Sequence, residues 1–189
     1  MNKNRIISIA IAVLTTAIFF QCSPSNEDFK YPAEHYDVLK IINQQIEFLD
    51  SLSPTLEKTV IFIDDSSTVS KSDIDWSEEL ELFKAMNINK PALAPLYDSV
   101  VNEALVYRLK KADYKSKIKE LKVKPANAMF PEMISATIIE DNYLYASEKK
   151  LMLYFDQKRE RLESYHIISK TKVILKSEEG GEILAKINY

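Results

Sequence analysis

Four kinds of side chain in this sequence could do chemistry: the lone Cys22, the histidines His35 and His166, several carboxylate pairs, and a run of lysines. The two histidines lie far apart, and neither has a partner at HxxxH or HExxH spacing. That spacing would put two metal ligands on one helix face. Each therefore reads as a structural histidine with a local hydrogen bond, and no metal site is expected. Asp64-Asp65 and the Asp73/Asp75 pair have the residue type for glycoside hydrolysis, which needs one acid of raised pKa inside a cleft. A calcium loop needs a glycine at fixed spacing, and none is present there. A hairpin turn and a helix cap fit these aspartates better. The chain has 2 glycines in 189 residues, against about 7% in average proteins. Walker loops, dinucleotide fingerprints and the G-x-S-x-G elbow are thereby excluded. No catalytic residue and no cofactor is assigned, and the chain reads as a non-enzyme.

Residues 110–124 hold seven lysines against Asp113 and Glu120, a local excess of positive charge in a chain of net charge -3. Lys110, Lys111, Lys115, Lys117 and Lys119 are candidates for contact with anionic groups such as lipid phosphates, lipopolysaccharide or an acidic partner. The competing reading is a solvated edge strand whose lysines deter edge-to-edge pairing. The 25 basic residues against 28 acidic ones argue against a nucleic-acid partner. Tyr143, Tyr145, Tyr154 and Tyr165 concentrate in the C-terminal half. Exposed on a sheet, they would stack sugars or anchor an envelope protein. Packed, they would be ordinary cross-strand pairs.

Lys3 and Arg5 precede an apolar run over residues 6–20, interrupted only by Ser8, Thr15 and Thr16. As a helix this run reaches about 22 Å, short of a roughly 30 Å hydrocarbon core. A charged start, a short apolar middle and Cys22 at its end resemble the signal of bacterial lipoproteins. In that family the cysteine is acylated through sulfur and becomes the new N-terminus. The positions the family fills with Leu and two small residues hold Phe19, Phe20 and Gln21 here. The resemblance implies that residues 1–21 are removed and that Cys22 carries fatty acyl chains such as palmitate. Residues 22–31 then form the acylated cysteine and a polar, flexible tether. Glu27-Asp28 are similar to the short acidic signal that sends some Gram-negative lipoproteins to the outer face of the outer membrane. A solvated linker explains them equally well. The expected location is the outer membrane, on its periplasmic or its outward face.

The elements that would position these groups follow from periodicity. Val38, Leu39, Ile42, Ile46, Leu49 and Leu52 recur at three and four residues, which predicts an amphipathic helix from near Ala33 to Ser53-Pro54. Residues 56–63 are rich in β-branched types, and Asp64-Asp65-Ser66-Ser67 predicts a turn into a short returning strand. Asp75 as N-cap opens a second helix of about three turns through Trp76, Leu80, Phe83 and Met86. From Leu96 onward the pattern predicts strands joined by short connections, with Gly180-Gly181 as the last hairpin turn. The expected class is α+β: two N-terminal amphipathic helices with a short hairpin between them, packed on a C-terminal antiparallel meander. Residues 32–189 form the single expected domain.

Two functions fit this reading. The first is a lipid-anchored, non-catalytic binding or structural module at the cell envelope, with an envelope protein or glycan as partner. The second is a lipid or lipoprotein carrier with an apolar slot between sheet and helices. That arrangement resembles the lipoprotein-localisation carrier fold, from which it departs in placing the helices ahead of most of the sheet.

Overall fold

The computed structural model describes residues 34–62, 65–111, 115–126, 130–174 and 178–189. Cys22, the leader over residues 1–21, the tether over residues 22–31, and Asp64 lie outside the described residues.

Helix α1 spans Val38–Leu52. It begins later than the apolar spacing suggests because the Asp37 side chain accepts a hydrogen bond from the Lys40 N–H, closing the first turn there. Its buried stripe is Val38, Ile42, Gln45, Ile46 and Leu49. Ser53 ends the helix in the left-handed region at φ 47°, with its N–H donating to the Leu49 carbonyl, and Pro54 follows. The expected second helix is replaced by two four-residue turns, α2 (Trp76–Glu79) and α3 (Glu81–Lys84), with Leu80 between them. Asp75 caps α2 by accepting from the Glu78 N–H at 2.9 Å. Trp76, Leu80, Phe83 and Met86 are all buried, so the apolar pattern is honoured by a broken helix.

Nine strands form one antiparallel sheet: β1 (Thr55–Phe62), β2 (Asp65–Lys71), β3 (Tyr97–Val101), β4 (Leu105–Leu109), β5 (Ile118–Lys124), β6 (Met133–Asp141), β7 (Tyr145–Asp156), β8 (Arg161–Val173) and β9 (Glu178–Asn188). Their order is β2-β1-β9-β8-β7-β6-β5-β4-β3. Strands β3 to β9 are the expected C-terminal meander. The expected helix–hairpin–helix layer does not form. The β1–β2 hairpin joins the sheet instead, because β1 pairs with β9 along its whole length, from Thr55 opposite Asn188 to Phe62 opposite Gly181. Gly180 and Gly181 are likewise not a hairpin turn. They lie within β9, where a Cβ on Gly181 would sit 3.0 Å from the Ile61 carbonyl oxygen. Close approach of neighbouring backbone explains the glycine there.

The face of the sheet that meets the helices is called inner here. Three rows of side chains cross it in register. The first row is Lys58, Ala185, Tyr165, Leu153, Ile134 and Val123. The second is Val60, Ile183, Ile167, Leu151, Ala136 and Leu121. The third is Phe62, Gly181, Ser169, Lys149, Ile138 and Ile118. The core lies between these rows and the helices, with Phe83 packed against Tyr165 at 5.2 Å between ring centroids. Gln45 is the polar exception on α1. Its amide donates to the Glu160 carbonyl and accepts from the Leu162 N–H, clamping the β7–β8 turn to the helix.

Candidate functional site

The helices cover the inner face unevenly. Trp76, Phe83, Leu49, Leu80, Met86 and Tyr165 fill the space beneath them, each nearly inaccessible. The apolar slot that a carrier would need between helices and sheet is therefore occupied by side chains. The apolar rows continue past the helices on the β1, β9 and β8 side. Val60 is 42% exposed and Phe62 49%, although both lie in rows that are buried further along the sheet. Together with Ile167, Ile183 and Gly181 they line an open depression of about 300 Å³. The β-branched run in residues 59–62 demands a strand, but only the length of the helices decides that its far end stays bare.

A second, more polar depression of about 650 Å³ adjoins the first, sharing Ile167 and Ile183 with it. On its wall Lys58 and Glu79 form an ion pair at 2.5 Å. The Tyr165 hydroxyl donates to the same Glu79 oxygen. Burial, then the hydrogen bond to Glu79 and its charge, push the Tyr165 phenol above its ordinary pKa. The phenol serves as a donor, so this trio ties α2 to the sheet.

A third depression of about 370 Å³ shares Leu82 with the second. Lys90, Lys115, Lys117 and Lys149 line it, with Leu93 and Ile138 between them. Lys117 pairs with Glu140 at 2.9 Å, and the Tyr145 hydroxyl donates to the other Glu140 oxygen. The Lys117 hydrogen bond, then that of Tyr145, holds the Glu140 carboxyl below its ordinary range. The same pairing raises the Lys117 ammonium.

Of the lysines singled out by sequence, Lys115 and Lys117 meet at this depression. Lys110 and Lys111 lie exposed at the end of β4, where Lys110 donates to the Pro95 carbonyl. Lys119 is half-buried at a register shift in β5. Lys90 and Lys149 complete the cluster from distant parts of the chain, a grouping that no local charge count could find. The four tyrosines do not share a surface. Tyr143 is 84% exposed in the β6–β7 turn, Tyr165 is in the core, and Tyr154 lies on the outer face with its hydroxyl against the Met152 sulfur. Tyr145 is taken up by Glu140.

The remaining candidates are satisfied locally. His35 Nε2 lies 2.8 Å from the Ala94 carbonyl oxygen, with its ring against Tyr107. His166 pairs with Glu182 at 3.1 Å on the outer face. Three pairs have S-x-x-K spacing: Ser116 and Lys119, Ser147 and Lys150 on β7, and Ser169 and Lys172 on β8. On a strand, residues three apart point to opposite faces, so the β7 and β8 pairs cannot act together, and the buried Ser116 hydroxyl is bonded to that of Tyr97 at 2.6 Å. Among the described residues there is no group of three or more metal-ligating side chains, and no helix long and apolar enough to cross a membrane. No protein-family model, curated protein or solved structure matches the chain.

Proposed function

We propose that this protein is a lipid-anchored, non-catalytic binding module of the cell envelope. Cys22 carries the acyl chains after removal of residues 1–21, residues 22–31 form the tether, and the body binds an envelope partner on the uncovered part of its inner face. The location is the outer membrane. The lipoprotein-like signal supports the anchor. The observation that carries the binding reading is the exposure of Val60 and Phe62 beside half-buried Ile167 and Ile183, around a depression of about 300 Å³. Exposing large apolar side chains in register with a buried core loses hydrophobic stabilisation, and such patches mark interaction sites.

The carrier function is the second reading. The apolar lining of that same depression favours it, while the filled space beneath the helices weighs against an enclosed slot. One experiment separates the two. The protein is cross-linked in its native cells, once as wild type and once with Phe62→Ser and Ile167→Ser. A binding module forms a discrete protein or glycan adduct that the substitutions remove. A carrier yields stoichiometric extractable lipid instead. An adduct that survives both substitutions contradicts the site assignment.

A further inference from the structure

The cluster of Lys90, Lys115, Lys117 and Lys149 has a place in the fold that suggests what covers it. Four ammonium groups line one depression, and Glu140 is the carboxylate among the described residues lining it. Apolar Leu82, Leu93 and Ile138 line the same depression. A surface of this kind is complementary to phosphate groups with acyl chains beneath them.

The cluster also lies beside the docked segment around His35. The His35 N–H donates to the Asn89 side chain at 2.9 Å, and its ring nitrogen lies 2.8 Å from the Ala94 carbonyl oxygen. Asn89 and Ala94 flank Lys90 and Leu93 in sequence. The twelve residues from position 22 to position 33 can span at most roughly 40 Å. An anchor at Cys22 would hold the body within that reach of the bilayer.

We propose that the depression rimmed by Lys90, Lys115, Lys117 and Lys149 seats the body on the anionic headgroups of the bilayer that holds its anchor. This inference rests on the lipid-anchor reading and adds an orientation to it. A lipid chain combined with a basic patch is a general two-signal mode of membrane attachment. Val60 and Phe62, on β1, share the inner face with Lys149 on β7, three strand positions away, or about 14 Å at the usual strand spacing.

The test uses the full-length lipidated protein in two kinds of vesicle, one of phosphatidylcholine alone and one containing phosphatidylglycerol as well. An amine-reactive reagent reports the accessibility of each lysine by mass spectrometry. Labelling of Lys90, Lys115, Lys117 and Lys149 should slow by roughly threefold or more in the anionic vesicles and recover at high salt. Lys71 and Lys186 should label equally in both. Lys115→Glu combined with Lys117→Glu changes only exposed side chains, and it should abolish the protection of Lys90 and Lys149. Equal labelling of the cluster in both vesicles, with the protein still attached, overturns the proposal and leaves the anchor standing. In a third arm with native envelope fragments, protection that is absent from both vesicles and lost on protease treatment of the fragments identifies an acidic protein as the partner and also overturns it. Loss of the protein from both vesicles overturns the anchor and this inference together.

Discussion

Gln45 holds together parts of the molecule that are more than a hundred residues apart in sequence. Its two amide atoms satisfy the Glu160 carbonyl and the Leu162 N–H, and its side chain is buried. Gln45→Leu keeps similar bulk but leaves both backbone groups without that partner. An unsatisfied buried polar group costs about 1–3 kcal/mol, so urea unfolding should report a loss of that size. A change below about 0.5 kcal/mol would mean that water replaces the amide. Nothing in the sequence marks Gln45, because a glutamine within an apolar stripe looks like a pattern error until the opposing turn is known. Cys22, by contrast, is marked by its neighbours, since the charged start and apolar run before it are local features. The tyrosine cluster misleads for the opposite reason. The register that sets Tyr165 opposite Leu153 sends Tyr154 to the other face.

Coverage of the sheet is decided at the scale of the elements. Leu49 on α1 is fully buried, whereas Val60 on β1 is nearly half exposed, although both belong to strongly apolar periodic segments. Leu49→Ala should cost about 2–5 kcal/mol. Val60→Ala should stay within about 1 kcal/mol, because little packing is lost. Equal losses in thermal unfolding would show that the uncovered rows are packed in solution and that the proposed binding surface does not exist. The existence of α1 and of the meander is legible from periods of 3.6 and 2, which local side chains dictate. The second helix is misjudged because Trp76, Leu80, Phe83 and Met86 keep helical spacing while the backbone breaks at Leu80. The hairpin is misjudged because pairing of β1 with β9 joins residues at opposite ends of the body. Gly180-Gly181 carries a turn signal, yet it answers crowding from Ile61 and Ser169.

At the scale of the whole molecule, several phenols are buried in part or in full. Burial is the leading cause that raises the pKa of Tyr36 and Tyr189 to about 12, and it also raises Tyr97, Tyr107 and Tyr165. The folded state thus binds these protons more tightly than the unfolded chain does. For Tyr36 that contribution is complete below pH 10 and is lost as pH rises from about 10 through 12. Spectrophotometric titration should show a group of tyrosines ionising late, together with the loss of near-ultraviolet dichroism. Ionisation of all ten tyrosines near pH 10 with the fold intact would contradict this burial. The candidate site also exists only at the scale of the whole molecule. Lys90, Lys117 and Lys149 come from three separate segments, and the bare apolar rows are defined by where the helices stop. The sequence could therefore suggest an anchor and a sheet, but not the face the sheet presents. The proposed function depends on that anchor, and the decisive measurement is the intact mass of the protein taken from its native host. The expected mass lacks residues 1–21 and carries added acyl groups on Cys22. A mass that retains the leader, with an unmodified thiol at Cys22, would contradict the account.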